Sequence, residues 1–191
     1  HIMKKILLVM MFSLAFATMA NAQIIKNTLD SDGNRFITCE KLNVRSFTDR
    51  IVTYVNLGYM NNQYYLSFQF DALNPLSIEK GGRVLIRTEN GNVLTLTINS
   101  SDKDDIGTIE TAGNMVLKNY SITTIMFVTK EDIINLSSGV SKFRIEMDNI
   151  DLTNGYFEKT YKSDKIGEKV LQDYRAIAKA LKETKKFEDG F

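Results

Sequence analysis

The sequence predicts a mainly β protein, an antiparallel β-sandwich or partly closed barrel of about eight to nine strands, with one short helix and a C-terminal amphipathic helix packed on it. Three observations carry this. Apolar residues alternate with period two through most of the chain after Phe36, pairs of Asn and Gly separate the alternating runs, and one long stretch near the C-terminus has helical spacing instead.

The clearest strand is Tyr64, Leu66, Phe68 and Phe70 interleaved with Tyr65, Ser67, Gln69 and Asp71, one set for a core and the other pointing away from it. Leu94, Leu96 and Ile98 repeat the pattern around Thr95 and Thr97, as do Phe143, Ile145 and Met147 around Arg144 and Glu146. Asn90-Gly91 divides Arg83–Thr88 from Val93–Asn99, Gly113-Asn114 precedes Met115–Thr129, and Asn154-Gly155 precedes Tyr156–Lys162. Asn and Gly tolerate the positive φ of tight hairpin turns, so these breaks predict antiparallel neighbours. The single proline, Pro75, falls in a loop between strands.

Two helices interrupt the β pattern. Lys130–Leu136 is opened by Thr129, with Asp132 placed to complete a capping box, and Gly139 offers a left-handed exit. The second starts at Ser163 or Asp164 and runs to about Lys186 along the stripe Ile166, Val170, Tyr174, Ile177 and Leu181. Leu171 and Ala178 widen that stripe beyond a coiled-coil seam, which suits docking on a sheet. Its C-terminal half is basic, in keeping with the helix dipole.

The start of the chain reads as a secretory signal. His1 and Ile2 precede the first Met and read as a cloning remnant. From Met3 come Lys4 and Lys5, an apolar stretch from Ile6 to Phe12, a further run Leu14 to Ala17, and the small triplet Ala20-Asn21-Ala22, with cleavage expected between Ala22 and Gln23. The apolar run is shorter than the roughly 20 residues of a spanning helix. The expected organisation is therefore remnant 1–2, signal 3–22, an N-terminal leader 23–35, a β domain 36–163, and a helix and tail of that same domain over 164–191. Periplasmic or secreted localisation follows, with a bacterial leaning from the short lysine-tipped signal, and no stable membrane span after cleavage.

Composition narrows the chemistry. Apart from His1 the chain has no histidine, and Cys39 is its only cysteine. That removes Ser-His-Asp and Cys-His catalysis, histidine metal sites, thiolate zinc clusters and intramolecular disulfides. No phosphate-binding glycine motif occurs, and Gly81-Gly82-Arg83 opens a strand and not a helix. The formal charge falls from +1 to −1 when Lys4 and Lys5 leave with the signal, which gives no overall electrostatic reason to hold nucleic acid. No cofactor or metal is expected.

The remaining candidates each have a bland reading beside the functional one. Asp102, Asp104 and Asp105 read as a solvated acidic turn in preference to a calcium loop. Asp30, Asp32 and Gly33 resemble part of an EF-hand loop, but Thr28 and Cys39 would then hold its first and last positions and the bidentate Glu is missing. Cys39 reads as a small buried hydrophobe before a reactive thiol, although Lys41 and Arg45 lie near it in sequence. Tyr54, Tyr59, Tyr64 and Tyr65 fall on consecutive strands, and Tyr54 and Tyr65 are the weak candidates for stacking on a ligand. The reading favoured is an exported, non-catalytic binding or protein-interaction module of the bacterial cell envelope, partnered by an unknown protein or envelope component and able to form a homodimer through its C-terminal helix. The alternatives are a carrier of a small apolar ligand in a β-barrel and, behind it, a carboxylate-dependent glycan hydrolase.

Overall fold

The computed structural model describes residues 23–29, 33–44, 50–104, 109–112, 115–150, 152–161 and 165–188. The expected signal, its cleavage residue Ala22, the Gly113-Asn114 turn, Asp30, Asp32, Arg45 and Asp105 lie outside the described residues.

Among the described residues, eleven strands form two antiparallel sheets that do not close into a barrel. The larger sheet has the order β1 (Ile24–Leu29), β2 (Arg35–Cys39), β4 (Ile51–Met60), β5 (Gln63–Ala72), β11 (Tyr120–Val128), β8 (Ser100–Asp104), with β3 (Leu42–Asn43) also on β4. The smaller has the order β13 (Tyr156–Thr160), β12 (Val140–Glu146), β6 (Arg83–Thr88), β7 (Val93–Thr97). A separate hairpin joins β9 (Ile109–Ala112) to β10 (Met115–Lys118). Two helices lie among the described residues, α1 (Lys130–Ser137) and α2 (Lys165–Glu188).

The count exceeds the eight to nine expected for particular reasons. Ile24–Leu29, read as a leader, is an edge strand, and its residues are mostly exposed on both faces, so they carry no alternation to recognise. The single run expected from Met115 to Thr129 is two strands, β10 and β11. Ser100–Asp104, read as running into an acidic turn, is strand β8, with Asp102 opposite Thr123 and Asp104 opposite Ser121. Thr28 and Cys39, the first and last positions of the EF-hand reading, sit on the paired strands β1 and β2.

β7 and β8 are one path that changes sheets at a corner. Ile98 still exchanges backbone hydrogen bonds with the Gly81-Gly82 segment beside the smaller sheet, while the next amide, Asn99 N–H, donates to Ile125 O in the larger sheet at 2.8 Å. Asn99 Oδ1 then accepts Phe127 N–H at 2.8 Å, supplying an acceptor just before β8 begins. The capping box of α1 is present as expected, with Thr129 N–H donating to Asp132 Oδ2 at 2.8 Å and Asp132 N–H to Thr129 Oγ1 at 3.1 Å.

Different elements cover the two ends of the larger sheet's inner face. Phe68 and Phe70 of β5 pack on Phe143 and Phe157 of the smaller sheet, with the Phe68 and Phe143 centroids 4.9 Å apart. Nearer the Asn61-Asn62 turn, whose two residues both have positive φ, Tyr64 meets Tyr174 of α2. The expected stripe of α2 is the face that docks: Ile166, Val170 and Ile177 are buried, and Tyr174 and Leu181 pack against the core.

One mid-strand glycine is required by packing. Gly58 lies directly opposite Tyr65, whose ring covers it so closely that a Cβ at residue 58 would stand 2.1 Å from Tyr65 Cζ. Gly58→Ala is expected to displace that ring and lower stability by about 2 kcal/mol, within the range for overpacked cores, as read from the urea midpoint at unchanged m. Tyr65→Ala in the same chain should recover part of that specific clash.

Candidate functional site

The sites the sequence singled out are largely occupied by packing. Because β4 and β5 pair with Gly58 opposite Tyr65 and Tyr59 opposite Tyr64, Tyr54 and Tyr65 share one face of the larger sheet while Tyr59 and Tyr64 lie on the other. Tyr54 and Tyr65 are not brought together: Tyr54 stands four rungs from the pair that contains Tyr65, roughly 14 Å along the strands. Tyr54 is half-buried, whereas Tyr65 is buried, stacks with Phe36 and points its hydroxyl at Ile37 O, 3.5 Å away. Tyr64 is edge-on to Tyr59 at 5.3 Å, and burial pushes its hydroxyl up to about 12.

Cys39 is fully buried under α2, and the cationic neighbour that matters is Lys169, from the far end of the chain. Lys41 instead donates to Gln69 Oε1. Burial first, and then the charge of the adjacent Asp173, push the Cys39 thiol up to about 12, so it is neither ionised nor accessible at neutral pH. Asp173 is itself fully buried. It accepts Leu57 N–H at 3.0 Å on Oδ2 and Lys169 Nζ at 2.8 Å on Oδ1. Burial outweighs these partners and raises its pKa above the ordinary carboxylate value.

The outer face of the smaller sheet carries a cluster of charged side chains. Strand pairing gathers Arg83, Leu85 and Arg87 of β6, Val93 of β7, Lys142, Arg144 and Glu146 of β12, and Glu158 of β13 onto it. Arg144 Nε donates to Glu158 Oε2 at 2.8 Å across the strands, Lys142 Nζ reaches Glu158 Oε1 at 2.6 Å, and the Arg144 guanidinium lies 4.3 Å from the Tyr156 ring centroid. At the other end of the face, Arg83 donates to Glu146 from both its backbone N–H, at 2.9 Å, and its Nε, at 2.8 Å. The donors from Lys142 and Arg144 hold Glu158 below the usual carboxylate range, and those from Arg83 do the same for Glu146.

These four cations against two carboxylates leave a local excess of +2. Lys142 and Arg144 share a single carboxylate, and Arg87 has none within ion-pair distance among the described residues. Arg87, Lys142, Arg144 and Glu158 rim an open depression of about 150 Å³, floored by Leu85 and Val93. Val93 is 56% exposed. A larger cleft of about 380 Å³ lies between Ser77–Gly82 and Glu146–Asp148, but its Glu146 is already committed to Arg83. Among the described residues no three His, Cys, Asp or Glu side chains converge to hold a metal ion. No helix among them is long and apolar enough to cross a membrane.

No family model, curated protein or solved structure matches this chain. Sequence reasoning missed the basic face because its residues come from four strands and share no spacing; only the outward phase of Arg144 and Glu146 in their alternating run pointed to it.

The thiol gives a readout of how firmly α2 is seated. Native Cys39 should resist a thiol-specific reagent at neutral pH, and Asp173→Ala should label roughly a hundredfold faster. The substitution strands a partly buried cation and a buried N–H, a loss of about 3 kcal/mol. Equal labelling of the two proteins would show that Asp173 does not hold the helix.

Proposed function

We propose that this chain is an exported, non-catalytic interaction module of the bacterial cell envelope, and that it holds an acidic partner on the outer face of its smaller sheet. The observation that carries the reading is Arg87, exposed and without a carboxylate in ion-pair distance among the described residues, beside two further cations that share one, all around an apolar floor. An almost neutral chain with a local excess of charge is suited to selecting one partner without binding anionic surfaces at large. The lysine-tipped apolar N-terminus ending in Ala20-Asn21-Ala22 supports export.

The two alternatives have less behind them. A barrel carrier needs an unfilled interior, and here the space between the sheets is filled by Phe68, Phe70 and Phe143. A two-carboxylate hydrolase needs an accessible acid that keeps its proton. Glu146 and Glu158 are held in the ionised form, and Asp173, whose pKa is raised, is buried out of reach of a substrate.

A fluorescein-labelled peptide of alternating Glu and Leu, followed by anisotropy, tests the reading. Binding is expected at low salt, weakening as salt screens the face, and falling roughly tenfold or more in Arg87→Glu. Binding that ignores both salt and Arg87→Glu, or no binding at all, would remove this face from the account.

A further inference from the structure

The sequence contains two Asn-Gly steps, Asn90-Gly91 and Asn154-Gly155, and both fall in turns between strands. Such a step can react with itself, because glycine has no side chain to shield its amide nitrogen from the carbonyl of the preceding asparagine side chain. The two steps share this chemistry, but the structure surrounds them differently.

Asn90 is pinned. Its Oδ1 accepts from Thr88 Oγ1 at 2.5 Å and from Asn92 N–H at 3.2 Å, which holds the side-chain amide in place. The nitrogen that would attack is committed too, since Gly91 N–H donates to Thr88 O at 3.0 Å. The turn itself is fastened to its surroundings: Thr88 N–H donates to Asn92 O and Glu89 N–H to Gly139 O, each at 2.9 Å, and Asn92 Nδ2 reaches Asn135 Oδ1 of α1 at 3.2 Å.

Asn154 has no such restraint. It and Gly155 are both exposed, and a Cβ built on Gly155 would meet no atom within 4 Å, so open space surrounds the step. Among the described residues neither the Asn154 side chain nor Gly155 N–H makes a hydrogen bond. What holds the step is the other side of the glycine, whose carbonyl accepts Met147 N–H at 3.2 Å beyond the end of β12.

We infer that Asn154 is a self-modification site, converting to aspartate and isoaspartate through a cyclic imide closed with Gly155, and that the fold protects Asn90 from the same reaction. The Gly155 nitrogen, having given its proton to hydroxide, attacks Asn154 Cγ. The N–Cγ bond forms, the Cγ–Nδ2 bond breaks, and the side-chain nitrogen leaves as ammonia with a proton taken from water. A water molecule then opens the ring at either carbonyl: a C–O bond forms, the C–N bond breaks, and the nitrogen recovers a proton. Nothing is oxidised or reduced. Opening at Cγ leaves aspartate, whereas opening at the main-chain carbonyl leaves isoaspartate and routes the backbone through the side chain. Either product puts a new carboxylate in the turn that leads into β13. Isoaspartate also lengthens the main chain just ahead of the Gly155 carbonyl, which loosens its hydrogen bond to Met147. The reaction needs no partner and is independent of binding at the basic face.

Peptide mapping by mass spectrometry follows both steps in one sample. The purified protein is held at mildly alkaline pH in buffer and, in parallel, in guanidinium chloride, and each Asn-Gly peptide is scored for the exchange of amide for acid. In the denatured chain the two steps should convert at similar rates. In the native protein Asn154 should convert at least about tenfold faster than Asn90, because hydrogen bonds must open at Asn90 first. Thr88→Val, which removes the hydroxyl donor, should speed Asn90 and leave Asn154 unchanged. Equal native rates, a faster Asn90, or a native Asn154 that stays intact while the denatured chain converts would overturn the inference.

Discussion

The fold turns on one carboxylate. β2 and β3 meet β4 in registers that differ by one residue, since Thr38 lies opposite Gly58 but Leu42 opposite Val55. Between those pairs the ladder is interrupted, and Leu57 N–H donates to Asp173 of α2 and not to a neighbouring strand. Asn56 spans the same gap with its Nδ2, donating to Cys39 O at 3.1 Å and Thr38 Oγ1 at 3.2 Å. A buried N–H without an acceptor is costly, and so is a buried carboxylate without donors. Here each satisfies the other, while Lys169 reaches Asp173 from one helical turn away along α2. The helix is thereby fixed in position along the sheet as well as in orientation, which hydrophobic burial alone would not do.

From that anchor the division of surfaces follows. The larger sheet has more inner face than the four-stranded sheet covers, and α2 lies over the Asn61-Asn62 end while the smaller sheet lies over the other. The smaller sheet thus needs no helix of its own, and its outer face stays open with its charged rungs in place. Exposed ion pairs of this kind contribute little to stability. Their consequence is geometric: they hold Lys142 and Arg144 upright beside Arg87 above an apolar floor.

Much of this architecture is legible in the sequence, and the exceptions have physical causes. Phe143–Met147 shows its strand because one face is buried and the other is not, and Tyr64–Phe70 because aromatic and aliphatic residues alternate with more polar ones, although Tyr65 and Ser67 on the second face are buried too. The α2 stripe and the Thr129–Asp132 box show their helices for equally local reasons. β1 is invisible because neither of its faces is consistently buried, so Ile-Ile-Lys-Asn-Thr-Leu has no period to read. The corner at Ile98–Asn99 is hidden because alternation stays in phase while the hydrogen-bond partners change sheets. Asp173 was visible in principle, as an acid between Val170, Tyr174 and Ile177 on an apolar face, a position that demands a buried partner. What the sequence could not supply is that the partner is a single backbone amide at a register shift more than a hundred residues away.

Amide hydrogen exchange at Leu57 and along α2, followed by NMR in the natural chain and in Asp173→Leu, addresses the anchor most directly, because leucine keeps the volume and apolar packing but offers no acceptor. The account expects Leu57 N–H to be as protected as the core amide of Val55 in the natural chain. In the variant it should lose that protection together with the amides of α2, while β5 and β12 stay protected. A freely exchanging Leu57 in the natural chain, or a variant whose helix remains fully protected, would contradict it.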